Sequence, residues 1–308
     1  MDIKKKKKRI FDKKLLFYCC LLALPLLQYA IFYIGVNFNS FFLAFTNYDK
    51  LTGTKSFAGF ENFKTVYTTF FQSSEAGNFG IRLRNALVNY GCSLVIGVGG
   101  AVLFSYYIYK KQFGGNFFKI ILFLPSVIPG IASISIYRYF VETGFLTVYN
   151  SIAAQPLSSF LNNTDTVFGT VLFFNLFMGF GTQVLMYLGA MNNINPSITE
   201  AAKLDGASFL REFWSITLPC IYSTVTTFVV VGVAGVFTSD LGLYSFFAGN
   251  AVGEAQTLGY YLFRATQQNT TNMAQWPYIS AVGLCFTIIV APITIVLRNV
   301  LSKLDPMR

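Results

Sequence analysis

The chain has 308 residues, of which 54% are hydrophobic and only 12% charged, and its mean hydropathy is +0.53. A soluble domain carries charge on roughly a quarter of its residues, so this composition points to lipid as the solvent. The formal net charge of +10 suggests nucleic acid less than it first seems, because eight of the 23 basic residues lie before Leu15. There is no His, which excludes histidine triads, His-ligated metal sites and His proton relays. The five Cys (Cys19, Cys20, Cys92, Cys220, Cys285) sit in apolar stretches without C-x-x-C spacing and read as small buried hydrophobes.

A helix crossing a hydrocarbon layer of roughly 30 Å needs about 20 mostly apolar residues. Six charge-free windows approach that length: 15–36, 86–109, 120–137, 167–190, 219–238 and 278–297. The first follows a basic segment as a signal peptide would, but its apolar stretch is longer than the usual cleavable one, so it reads as a retained span. The expected fold is an all-α membrane protein of six transmembrane helices. It divides into a basic tail over 1–14, a transmembrane domain over 15–300 and a short tail over 301–308.

With the Lys-rich N-terminus in the cytoplasm, 16 of the Lys and Arg residues fall inside and 7 outside, in agreement with the positive-inside rule. The run Lys4 to Arg9 reads as a topology signal and a contact for anionic lipid. Both termini are then cytoplasmic. The outer segments 37–85, 138–166 and 239–277 are long and mixed in polarity, suited to re-entrant or surface helices beside a soluble partner.

Coupled carriers commonly hold an ionisable side chain within the bilayer, and none of the six windows contains one. Nor is there a G-x-x-x-x-G-K-[ST] loop for ATP. No cofactor or metal is expected. Gly97, Gly99 and Gly100 in the second window read as positions of close helix packing.

The strongest local signal lies between the fourth and fifth windows, in Asn195-Pro196-Ser197-Ile198-Thr199-Glu200-Ala201-Ala202-Lys203-Leu204-Asp205-Gly206-Ala207. Ser197 and Glu200 have the spacing of a capping box, the alanines favour helix, and Asp205-Gly206 suits a left-handed stop. A short helix on the cytoplasmic face is predicted, followed by an amphipathic segment to Ser215 and Pro219 in the first turn of the next span. Its small and apolar groups suit a groove in another protein.

Glu200-Ala201-Ala202, Asp205-Gly206-Ala207, Phe213, Ile216, Leu218 and Pro219 resemble the EAA loop of the permease subunits of binding-protein-dependent ABC importers. The resemblance implies that the loop over 191–218 carries a coupling helix that docks into a cleft of a cytoplasmic ATPase. Phe57-Ala58-Gly59-Phe60-Glu61-Asn62-Phe63, Phe123-Leu124-Pro125 with Pro129, and Gly144-Phe145-Leu146 with Asn150 are similar to the sugar branch, on the side of the first permease of the maltose and glycerol-phosphate types. Ala248-Gly249-Asn250 departs from the Gly-Gly-Pro that many relatives carry. The implied partners are a second permease, two ATPase subunits, an extracellular binding protein and a sugar, in a bacterial cell membrane, with no nucleic acid.

On the fourth window Asn175, Gly179 and Thr182 share a helical face, with Gln183 at its edge. Asn175 and Gly179 also fall where the maltose-type permease touches sugar, as the resemblance implies. The face reads equally as a solute lining, with Asn175 donating to the solute, or as a bridge between helices. Gly232, Gly235, Thr238 and Ser239 form a comparable stripe on the fifth. Neutral hydroxyl-rich solutes suit such groups, because each hydroxyl taken from water needs a replacement hydrogen bond. The expected function is a non-catalytic permease subunit for a sugar or oligosaccharide. The competing readings are a secondary carrier or channel for a neutral polar solute, disfavoured by the charge-free spans and the loop, and a membrane-embedded enzyme, disfavoured by the missing His and carboxylate clusters.

Overall fold

The computed structural model describes residues 13–49, 53–72, 75–153 and 155–307. The basic run Lys4 to Arg9 lies outside them. The described chain is mostly helical, and it divides into two compact units, Met1–Val66 with Thr271–Leu284, and Tyr67–Thr270 with Cys285–Arg308.

In the first unit, α1 (Lys13–Gln28) runs through a π-helical stretch (Tyr29–Gly35) into α2 (Val36–Leu43), giving a span that none of its own chain buries. A helix apolar on every side suits lipid or another subunit. A small antiparallel hairpin follows, β1 (Thr46–Tyr48) with β2 (Lys55–Phe57), Thr46 opposite Phe57. The amide of Asn62 donates to the carbonyls of Ala44 at 2.9 Å and Thr46 at 2.7 Å, and Phe45 packs on Phe60 and Phe63. The Phe-x-Gly-x-x-Asn-Phe segment is therefore a local clamp that closes the hairpin onto the start of α3 (Glu61–Phe71).

In the second unit, α4 (Glu75–Cys92), a π-helical stretch (Ser93–Gly100) and α5 (Ala101–Tyr109) form one continuous span. It begins well before the window 86–109 and takes in Arg82, which is buried. The third window, 120–137, is not one straight helix. α6 (Gly115–Val127) and α7 (Gly130–Tyr139), the latter prolonged through Phe140–Phe145 into α8 (Leu146–Ile152), meet at 101°. Ile128, disfavoured from helical geometry by Pro129 after it, is extended (φ −77°, ψ 132°) and ends α6 there, although α6 accommodates Pro125 one turn earlier. Among the described residues, five helices are long and apolar enough to cross a membrane, or six if the bent pair is one span.

The fourth span is α9 (Val167–Asn192), whose 26 residues extend about 39 Å at 1.5 Å each. After it come α10 (Pro196–Leu204), α11 (Phe209–Glu212), a π-helical turn (Phe213–Thr217) and α12 (Leu218–Cys220). The fifth span, α13 (Tyr222–Thr238), starts beyond a break at Ile221 rather than at Pro219. Short helices α14 (Leu243–Phe247) and α15 (Leu258–Gln268) follow, where surface helices are predicted. α16 (Trp276–Lys303) is longer than the window 278–297 and reaches into the C-terminal tail. Two apolar clusters hold the second unit. One gathers Ala101, Tyr106, Val184, Tyr187 and Phe213, and the other gathers Val171, Phe174, Leu241, Phe246 and Tyr260.

Candidate functional site

Between the second span, the fourth span and the segment after α13 lies a cavity of about 180 Å³. Asn89, Ser93 and Gly97 line it from the second span, Asn175, Leu176, Gly179 and Gln183 from the fourth, and Ser239 and Leu241 from beyond the fifth. Asn89, Ser93 and Gly97 recur every four residues, as do Asn175, Gly179 and Gln183, so each helix turns one small and polar ridge to the other. No charged side chain is among the nine.

Asn175 donates its side-chain N–H groups to Val171 O at 3.0 Å and to Leu241 O at 2.9 Å. It lines the cavity and at the same time ties α9 to the non-helical segment that follows α13. With both N–H groups engaged, the side-chain oxygen of Asn175 is the group left to accept a hydrogen bond. Gln183 Oε1 is buried and has no hydrogen-bond partner among the described residues, although the residue as a whole is only half-buried.

Other expected pathway residues part company here. Thr182 is exposed and outside the lining, because the fourth-residue repeat that continues from Gly179 reaches Gln183 instead. Gly232 makes room for the ring of Tyr90, whose hydroxyl donates to Val229 O at 3.1 Å. Gly235 also stays out of the lining, while Ser239 belongs to it. Asn89 and Ser93 were not singled out by sequence. Their signal was the repeat they share with Gly97, which reads as packing when only the glycines are considered.

The 191–218 loop forms the predicted helix with a different cap. Asn195, not Ser197, is the N-cap, its side chain accepting from Ser197 N at 3.1 Å, with Pro196 in the first turn. Pro196 has no N–H to satisfy, which favours that start over a capping box between Ser197 and Glu200. At the other end Gly206 is left-handed (φ 71°), with Ala207 N donating to Ala202 O and Gly206 N to Lys203 O, a Schellman stop as expected. Glu200, Ala201, Asp205 and Gly206 are exposed and Ala207 is half-buried, whereas Ala202 turns inward. Leu204 is 90% exposed, and Leu210 and Trp214 are exposed beside it in sequence.

Phe213 is buried, so it supports the loop and does not face outward. Its ring and that of Phe209 pack on Tyr106 of α5 at 4.9 and 4.6 Å, and the Tyr106 hydroxyl donates to Phe209 O at 2.9 Å. Lys110 forms an ion pair with the buried Glu212 and sits over the rings of Tyr106 and Tyr109. Ile216, Leu218 and Pro219 are half-buried. The loop is thus seated rigidly on the end of the second span.

Residues 80–307 match the family described as binding-protein-dependent transport system inner membrane component. The multiple sugar-binding transport system permease protein MsmF of Streptococcus mutans is 25% identical over 92% of this chain and 93% of its own length. A probable ABC transporter permease protein of Mycoplasma genitalium is 29% identical over 72% and 70%. The polygalacturonan/rhamnogalacturonan transport system permease protein YteP of Bacillus subtilis is 25% identical over 97% and 92%. Among solved structures, a bacterial ABC transporter involved in the import of the acidic polysaccharide alginate superposes with a TM-score of 0.72 at 20% identity, covering 94% of this chain and 96% of the other, and shares the fold. The chain belongs to the family of binding-protein-dependent transport system inner membrane components, and it is a non-catalytic, multi-pass permease subunit of an ABC importer.

Proposed function

We propose that this chain forms half of the pathway by which a neutral sugar or oligosaccharide enters a bacterial cell. The observation that carries the solute class is the cavity lining, which offers amide and hydroxyl groups and no charge. An acidic glycan would leave its carboxylates unpaired there, at a cost of several kcal/mol per buried ion. Relatives named for starch degradation products and arabinooligosaccharides point to sugars as well, and another is named for polygalacturonan/rhamnogalacturonan. At about 180 Å³ the cavity is smaller than the roughly 300–1,000 Å³ of typical ligand pockets, which fits a site completed by a second permease subunit.

The loop over 191–218 is the docking element for one of two ATPase subunits, with Glu200, Ala201, Asp205, Gly206 and Leu204 outward and Phe213, Ile216, Leu218 and Pro219 holding them in place. The Lys and Arg asymmetry puts that loop and both termini in the cytoplasm and the ends that bracket 239–277 outside, where an extracellular binding protein delivers the solute. Residues 1–14 and 301–308 flank the transmembrane domain on the cytoplasmic side. The test is ATPase stimulation of the complete importer by its binding protein, loaded in turn with neutral trisaccharides (maltotriose, raffinose, arabinotriose) or acidic ones (trigalacturonate, an alginate trisaccharide). Stimulation by a neutral member is expected, and stimulation by the acidic members alone sinks the assignment.

A further inference from the structure

The wall of the cavity formed by Ser239 and Leu241 is not itself helical, so something must hold it. Thr257, 1% exposed, does so with a single hydroxyl: it donates to Ser239 O at 2.8 Å and accepts from Tyr260 N at 3.1 Å as the N-cap of α15. Gly259 lets α15 come this close, since a Cβ there would lie 2.5 Å from the Ser239 carbonyl oxygen. The same stretch is tied to α4 by Asn85, wholly buried, whose amide donates to Glu254 O at 2.6 Å and Gln256 O at 3.0 Å. Arg82 Nε donates to Gln256 Oε1 at 3.0 Å. One turn along α4 from Asn85, Asn89 lines the opposite wall of the cavity.

We propose that Thr257 is a positioning residue for the solute site: its hydroxyl couples the segment 254–257 to the Ser239 wall, so that the width of the cavity follows the placement of that segment. The proposal rests on the reading of the cavity as the solute site. The β-hydroxyl caps the helix as acceptor and reaches the Ser239 carbonyl as donor through one atom. Valine keeps the shape of threonine and loses both bonds, while serine keeps both bonds and loses the methyl group.

The experiment uses the full chain in its assembled importer, with its five cysteines replaced by alanine and single cysteines introduced as Ser239→Cys or Asn89→Cys. The probe is a charged, impermeant methanethiosulfonate, and the readout is the labelling rate. Thr257→Val should change the rate at position 239 by about fivefold, the equivalent of losing the single hydrogen bond to the Ser239 carbonyl, leave the rate at position 89 unaltered, and be reversed by Thr257→Ser. Equal changes at both positions would mean general loosening and would overturn the proposal, as would no change at 239. If neither position reacts in the Thr257 parent, the cavity is not an aqueous solute site and the underlying reading fails first.

Discussion

Gly97 and Gln183 face each other so closely that a Cβ on the glycine would lie 2.7 Å from Gln183 Oε1 and 3.1 Å from its Nε2. The contact joins the second and fourth spans at the cavity and leaves an amide oxygen without a hydrogen bond. A buried acceptor without a partner costs about 1–3 kcal/mol, and under the pathway proposed above a solute hydroxyl donating to it would relieve that cost.

The first prediction follows from that contact. Gly97→Ala should push the flexible Gln183 amide into the cavity and lower the rate of solute uptake, with assembly retained. Gly97→Ala combined with Gln183→Ala should recover part of the loss, because the displaced group is gone. Uptake kinetics beside a thermal melt of the purified complex check both, and a double variant no better than the single one would place the clash elsewhere.

A second prediction concerns the ion pair under the loop. Glu212 is 4% exposed and the Lys110 side chain 14%. Lys110→Met leaves a buried carboxylate unpaired and should destabilise the chain by about 3–5 kcal/mol. Lys110→Met with Glu212→Leu removes both charges and should recover most of that. Thermal unfolding of the three proteins in one detergent is the measurement, and a double variant as unstable as the single would show that the charge itself is not what the site requires.

Gly206 gives the third. Its φ of 71° suits glycine, and a Cβ there would meet nothing within 4 Å, so substitution acts through the backbone alone. Gly206→Val should cost about 1–2 kcal/mol at the stop of α10 and loosen the link between ATP hydrolysis and uptake, whereas Gly206→Asn, which tolerates the left-handed region, should do less. The ratio of ATP hydrolysed to solute imported in proteoliposomes checks this, and equal ratios in all three proteins would remove the turn from coupling.

The fourth is topological. Thr54 and Asn250 are both exposed. In a cysteine-free background, Thr54→Cys and Asn250→Cys should react with an impermeant thiol reagent in intact cells, and Ala201→Cys only after the membrane is opened. The reverse pattern would invert the orientation.

The sequence by itself determined the lipid environment, the existence of the spans and the stop at Gly206, because these depend on composition and on residues adjacent in the chain. It also carried the hairpin clamp, in the spacing of Gly59, Asn62 and Phe63, without saying what the clamp was. The break at Ile128 was only half legible: a residue before a proline is biased toward extended geometry, yet Pro25, Pro125 and Pro292 all lie inside helices. The cap at Asn195 was legible too, since its side chain accepts from Ser197 N only two residues on and Pro196 suits the first turn, whereas only the tertiary structure decided that Gln183 rather than Thr182 meets the cavity and that Asn89 and Ser93 complete it. Each of those depends on which neighbour a side chain finds across the bundle. An apolar span has no hydrophobic contrast between its faces once lipid replaces water, so its periodicity cannot say which face turns inward. Packing against the second span and the segment held by Thr257 makes that choice.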